Sequence, residues 1–138
     1  MNLNLKKLNR ILKTAPFRVI KYYIAGETAL GFIQGILQKV NILDVYRMIE
    51  EDKYNIFDGN QNVVKAIKKS SKIILEYEDV IRKYVTPTNV LSILKDTRPD
   101  IYSLIINHKK GVKWLSNAIK TSMNYMFEIA KSETALPS

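Results

Sequence analysis

The stretch from Phe17 to Val40, FRVIKYYIAGETALGFIQGILQKV, decides the fold of this chain. Its apolar residues recur at alternating steps of four and three, which places them on one face of an α-helix, and a second apolar stripe lies beside the first. The narrow polar seam that remains consists of Glu27, Gln34, Gln38 and Asn41. A helix that is apolar over most of its circumference belongs at the centre of a bundle. We therefore predict an all-α fold around this helix.

Residues 63–85 repeat the same spacing of apolar residues and predict a second long helix. A similar seam over residues 112–131 predicts a closing helix. With 138 residues and 46% hydrophobic content, the chain has the size of one domain with a real core. We therefore expect a single-domain helical bundle of about six or seven helices, built around the two long helices 17–40 and 63–85.

The two ends of the chain differ from the bundle, which we assign to residues 16–131. Residues 1–15 predict a basic amphipathic helix or arm, with leucines on one side and cations on the other. This segment either packs on the bundle, lies along nucleic acid, or rests on an anionic membrane surface. Residues 132–138, SETALPS, predict a polar C-terminal tail.

Local signals predict where several helices begin and end. Thr86 followed by Pro87 indicates an N-cap and a first helical residue, and Gly111 indicates the end of the preceding helix. Gly31 and Gly35 stand four residues apart, a spacing that lets a neighbouring backbone come close. In a membrane this spacing marks dimerisation. Without a spanning segment, it favours a tight crossing within the molecule.

The sequence lacks the residues on which most active sites depend. The absence of cysteine excludes disulfides, thiolate metal sites and cysteine nucleophiles. His108 is the only histidine, and no glycine-rich phosphate loop occurs. The consecutive carboxylates Glu50, Glu51 and Asp52 splay around a helix, so they do not converge on a metal ion. We expect a protein that is not an enzyme and has no cofactor, metal ion or small-molecule substrate.

No segment reaches the roughly 18 uninterrupted apolar residues of a transmembrane helix. The N-terminal sequence MNLNLKKLNRILK also lacks the apolar region of a signal peptide. The resulting expectation is an intracellular, soluble protein, either cytoplasmic or part of a nucleoprotein particle, for which a membrane partner is not favoured.

The formal net charge of +9 points to a polyanionic partner or, alternatively, to a simple solubility charge. The charge is uneven, because residues 1–26 carry six basic side chains and no acidic one. The candidate phosphate contacts form three groups: Lys6, Lys7, Arg10 and Lys13; Lys65, Lys68, Lys69 and Lys72; and, with lower priority, Lys109, Lys110 and Lys113. Trp114, next to the third group, is either a stacking ring for single strands or, as we favour, a core residue.

We therefore expect a non-enzymatic protein that binds nucleic acid through phosphates without reading its sequence. Such a protein would coat or package DNA, as a virion or chromatin component, or form a small subunit of a ribonucleoprotein. The sequence does not distinguish DNA from RNA. The alternative from another class is a helical module for protein–protein interaction and homo- or hetero-oligomerisation, without nucleic-acid binding.

Overall fold

The computed structural model of the protein describes residues 17–57 and 60–135. Within these ranges the fold is all-α, as predicted, and contains no strand. The eight helices of these ranges are α1 (Phe17–Leu37), α2 (Ile42–Glu50), α3 (Gln61–Lys69), α4 (Ser71–Glu76), α5 (Glu78–Tyr84), α6 (Pro87–Thr97), α7 (Pro99–Asn107) and α8 (Gly111–Ala135). The predicted basic segment 1–15 lies outside the described residues.

The core forms between the two longest helices of the described chain, α1 and α8, and the short helices around them. Helix α8 packs against α3, α4 and α7, whereas α1 packs against α5 and α6. Trp114 is 1% exposed, and its Nε1 donates a hydrogen bond of 2.6 Å to the carbonyl oxygen of Lys53. The preference for Trp114 as a core residue is therefore confirmed, and the indole is not available to stack on a base.

The predicted long helix 63–85 is divided into α3, α4 and α5, which corrects the sequence-based expectation. The backbone leaves helical geometry at Ser70 (φ −101°, ψ 10°) and again at Tyr77 (φ −114°, ψ 29°). The apolar stripe nevertheless survives both breaks, because one isoleucine from each short helix is at most 1% exposed: Ile67, Ile74 and Ile81. Helices α3 and α4 pack mainly on α8, whereas α5 packs mainly on α1.

The predicted cap at Thr86 is present, and the structure shows a second cap at Asn41. The side chain of Thr86 accepts a hydrogen bond of 3.2 Å from the amide of Asn89, and Pro87 is the first residue of α6. Helix α1 ends at Leu37, three residues before the predicted end, and Asn41 then caps α2 through the amide of Leu43 at 2.8 Å. The caps satisfy amides that the first helical turn leaves without intrahelical partners.

Gly111 has a different role from the predicted one. Helix α7 already ends at Asn107, and Gly111 is the first residue of α8. A Cβ atom at this position would lie 1.8 Å from the carbonyl oxygen of Ile105, so only glycine permits the close approach of the two helices. Helix α8 then continues to Ala135, which places residues 132–135 of the predicted polar tail in a helix.

A tight crossing on α1 lies at Gly26, whereas Gly35, one of the predicted pair, meets open space. A Cβ atom at Gly26 would lie 2.7 Å from Cγ of Tyr84 on α5, whereas one at Gly35 would meet no atom within 4 Å. Glycine is therefore needed at position 26, where the ring of Tyr84 packs against α1. The hydroxyl of that ring donates a short hydrogen bond to the carboxylate of Glu27.

Candidate nucleic-acid interface

The second group of candidate contacts forms a cationic surface, which we call the lysine face: Lys65, Lys68 and Lys69 on α3, and Lys72 on α4. All four side chains are exposed. They point outward because the apolar side of α3 is anchored by Ile67, which is fully buried. Asn60 fixes the start of α3 by accepting a hydrogen bond of 3.2 Å from the amide of Val63.

The lysine face has no acidic residue in its own stretch of sequence. No aspartate or glutamate occurs between residues 61 and 75, and none of its four lysines forms an ion pair with a described residue. Lys68 and Lys69 occupy the last turn of α3, where a positive charge also stabilises the helix dipole. Lys65 on α3 and Lys72 on α4 lie on either side of the break at Ser70.

The third group, at the turn between α7 and α8, is less available. Lys109, Lys110 and Lys113 are all exposed. However, Nζ of Lys110 lies 3.5 Å from a carboxylate oxygen of Asp52 and 3.3 Å from the carbonyl oxygen of Glu50. This pairing reduces the positive potential at the turn.

His108 joins the same turn to α2. Its Nδ1 accepts a hydrogen bond of 3.0 Å from the amide of Lys110, so the neutral ring carries its proton on Nε2. That nitrogen lies 2.9 Å from a carboxylate oxygen of Glu50. The Tyr46 ring meets the imidazole edge-on, with 5.8 Å between centroids. Both ring nitrogens are therefore engaged: Nδ1 within the turn itself and Nε2 with Glu50 of α2.

The contacts of Glu50 shift the pKa of two side chains. The hydrogen bond from His108, followed by that from Tyr46, holds the pKa of Glu50 below its ordinary value. The same carboxylate raises the pKa of the Tyr46 hydroxyl. The three side chains tie the end of α2 to the corner between α7 and α8. These contacts give His108, the single histidine of the sequence, a structural role at this corner.

The first group, Lys6, Lys7, Arg10 and Lys13, lies outside the described residues.

The candidates identified from sequence do not include Lys120 and Arg82, which the fold brings to one side of α8. Arg82 on α5 reaches α8, with Nη1 3.5 Å from the side-chain oxygen of Asn124. The spacing of seven residues between Lys113 and Lys120, both exposed, would have been the available signal.

Within residues 17–57 and 60–135, no group of three or more histidine, cysteine or acidic side chains is arranged to hold a metal ion. None of the described helices is long and apolar enough to cross a membrane. Comparison with protein-family models, with curated proteins and with solved structures found no match to this chain.

Proposed function

We propose that this protein is a non-enzymatic nucleic-acid-binding protein that contacts phosphates without reading the base sequence. The observation that carries the proposal is the lysine face, where four exposed lysines stand together without a carboxylate in the surrounding sequence. The net charge of +9 supports it, because a polyanion would gain from the whole surface potential.

The chemistry of the lysine face accounts for the proposed lack of sequence preference. A lysine ammonium binds phosphate as a point charge, whereas base recognition uses the paired hydrogen bonds of arginine, asparagine or glutamine in a groove. Contacts of this kind position a protein on the backbone and make its affinity depend strongly on salt. Coating or packaging of DNA, or a small subunit role in a ribonucleoprotein, would both use such contacts.

The test is the binding of the protein to generic duplex DNA and to single-stranded RNA over a salt series. We expect affinity to fall steeply with salt and to be alike for unrelated sequences. Replacing Lys65, Lys68, Lys69 and Lys72 with alanine should weaken binding far more than a control variant that removes four other exposed lysines: Lys39, Lys83, Lys95 and Lys131. Equal losses in the two variants, or no binding at low salt, would overturn the proposal.

A second candidate function, protein–protein interaction, is favoured by one observation. Leu43 and Tyr46 lie one turn apart on α2 and are 66% and 47% exposed, although single apolar residues are common on protein surfaces. Light scattering over a range of concentrations tests this candidate. A mass that stays at 15.9 kDa would count against self-association.

A further inference from the structure

A groove of about 260 Å³ lies between the α5–α6 turn and α8. One wall comes from the turn and the other from α8, and the lining residues are Arg82, Val85, Thr86, Pro87, Ser116, Ile119, Lys120 and Met123. The apolar side chains of the lining include Val85, Ile119 and Met123, which are each 3–4% exposed and so form the bottom of a shallow groove. No carboxylate lines this groove. The lining therefore combines apolar residues with two cationic side chains, Arg82 from α5 and Lys120 from α8.

Arg82 is held in a fixed position beside the groove. Its Nε lies 3.1 Å from a carboxylate oxygen of Glu78, and the guanidinium carbon stacks 4.4 Å from the centre of the Phe127 ring. With the contact to Asn124, three neighbours orient the plane of the guanidinium. Nη2 has no hydrogen-bond partner in the described part of the chain. A guanidinium held in this way presents its remaining N–H donors to an oxyanion at little entropic cost.

The facing wall supplies a second cation and a hydroxyl. Lys120 and Ser116 lie one turn apart on α8, and both are exposed. Lys120 forms no ion pair with any residue of the described ranges. Thr86 uses its oxygen to accept the α6 cap hydrogen bond, so its hydroxyl proton remains a donor. The polar side chains that line this groove are thus two cations and two hydroxyls. Because Glu78 already pairs with Arg82, Lys120 supplies the positive charge that no described carboxylate offsets.

We propose that this groove binds one nucleotide unit, with its phosphate between Arg82 and Lys120 and its sugar and base over the apolar floor. Arginine and lysine together match a phosphate better than a neutral group. The apolar floor would favour a phosphate that carries an organic group over inorganic phosphate. The volume lies below the roughly 300–1,000 Å³ of pockets for larger ligands, which limits the occupant to about one nucleotide.

The nucleotide has two possible sources, a free mononucleotide or one residue of a single strand. The inference does not rest on the lysine face, because it involves other residues on other helices. The two proposals therefore fail separately. Loss of groove binding with retained salt-dependent binding of nucleic acid would overturn only this inference.

The experiment is an NMR titration that follows the methyl signals of Met123 and Ile119 in the full-length protein. The probes are adenosine monophosphate, thymidine monophosphate, inorganic phosphate and a short oligothymidylate. We expect saturable shifts with a nucleotide probe and weaker binding of inorganic phosphate. Lys120→Ala should weaken binding at least about tenfold, as expected for the loss of a charge-assisted hydrogen bond. Lys131→Ala, on the exposed side of the same helix, should leave binding unchanged.

A second variant blocks the groove without removing a charge. Ser116 is exposed, so Ser116→Phe should fill the groove and abolish the methyl shifts, while the thermal unfolding midpoint stays near that of the parent protein. If only the oligothymidylate binds and Ser116→Phe weakens it, the source is a strand; if free mononucleotides bind, it is a small ligand. Absence of shifts with every probe, or equal effects of Lys120→Ala and Lys131→Ala, would overturn the inference.

Discussion

Arg98 donates a hydrogen bond of 2.9 Å from Nη1 to the carbonyl oxygen of Val40. The same nitrogen also lies 2.8 Å from the carbonyl oxygen of Gln38 and 3.4 Å from that of Leu37. The end of a helix leaves carbonyl groups without intrahelical partners and carries a partial negative charge. The guanidinium of Arg98 donates hydrogen bonds to these carbonyl groups, and its positive charge lies beside the negative end of the helix dipole. Arg98 therefore fastens the end of α1 to the turn between α6 and α7.

The first prediction concerns the loss of this contact. Asp100 holds the opposite edge of the guanidinium, with 3.1 Å to Nε and 2.9 Å to Nη2, and the Arg98 side chain is only 21% exposed. We expect Arg98→Ala to lower the free energy of unfolding by about 2–3 kcal/mol, because hydrogen bonds to charged groups contribute about that much. Urea denaturation measures the change.

Arg47→Ala is the matched control for this prediction. Arg47 approaches Asp44 at 3.9 Å, and both side chains are more than 60% exposed. An exposed pair of this kind contributes little, so the control should change the free energy of unfolding by less than about 0.5 kcal/mol. Similar losses in the two variants would show that Arg98 does not act through the end of α1.

The second prediction is a pH dependence at Glu50. The pKa of this carboxyl is lowered in the folded protein, first by the hydrogen bond from His108 and then by that from Tyr46. A carboxyl with a lowered folded-state pKa stabilises the protein above its unfolded-state pKa, and this contribution is lost as the pH falls through the folded-state pKa. The free energy of unfolding should therefore fall in acid less steeply for Glu50→Gln than for the parent protein.

An NMR titration of the Glu50 carboxyl tests the cause. His108→Leu should move its pKa back toward the ordinary value by more than Tyr46→Phe does, because the histidine is the larger of the two causes. The reverse order would contradict the assignment. The position of the proton on neutral His108 is a separate readout, expected on Nε2 since Nδ1 accepts from the amide of Lys110.

The sequence predicts the features that depend on neighbouring residues. The helical class, the cap at Thr86 and the outward direction of the lysine face all follow from local pattern. The contacts that join distant segments do not, since Arg98 and Val40 are separated by 58 residues and no periodicity links them. The spacing of apolar residues also does not predict the break at Ser70. A four-and-three pattern reports which side of the chain is buried, but not whether the backbone stays straight between buried residues.

The same distinction applies to the candidate site. Lys65 and Lys72 are close in sequence, so their common exposure could be predicted from the position of Ile67. Lys120 and Arg82 face the same groove only because α5 and the start of α6 pack beside α8. No spacing rule brings together residues 38 positions apart. The groove is thus a product of tertiary packing, whereas the lysine face is a product of helix periodicity.

The third prediction compares two glycines of α1. Gly26→Ala places a methyl group 2.7 Å from Cγ of Tyr84, whose ring is held by its hydroxyl on Glu27. We expect this variant to lose about 1–3 kcal/mol of stability, the usual effect of overpacking. Gly35→Ala meets nothing within 4 Å and should gain up to about 1 kcal/mol from helix propensity. Thermal or urea unfolding of the two variants measures the difference. A loss of stability in Gly35→Ala equal to that in Gly26→Ala would refute the assigned crossing.

The fourth prediction concerns the salt dependence of binding, which reports how many phosphates the lysine face contacts. Each lysine that neutralises a phosphate contributes about 0.7–0.9 to the slope of the logarithm of the binding constant against the logarithm of salt concentration. If all four lysines of the lysine face contact phosphates, their replacement with alanine should reduce the slope by about three. The control variant at Lys39, Lys83, Lys95 and Lys131 removes the same charge, so it should lower affinity through the general potential while keeping most of the slope. Two variants with the same slope would mean that net charge alone attracts nucleic acid, and that the arrangement of lysines on α3 and α4 has no special part in binding.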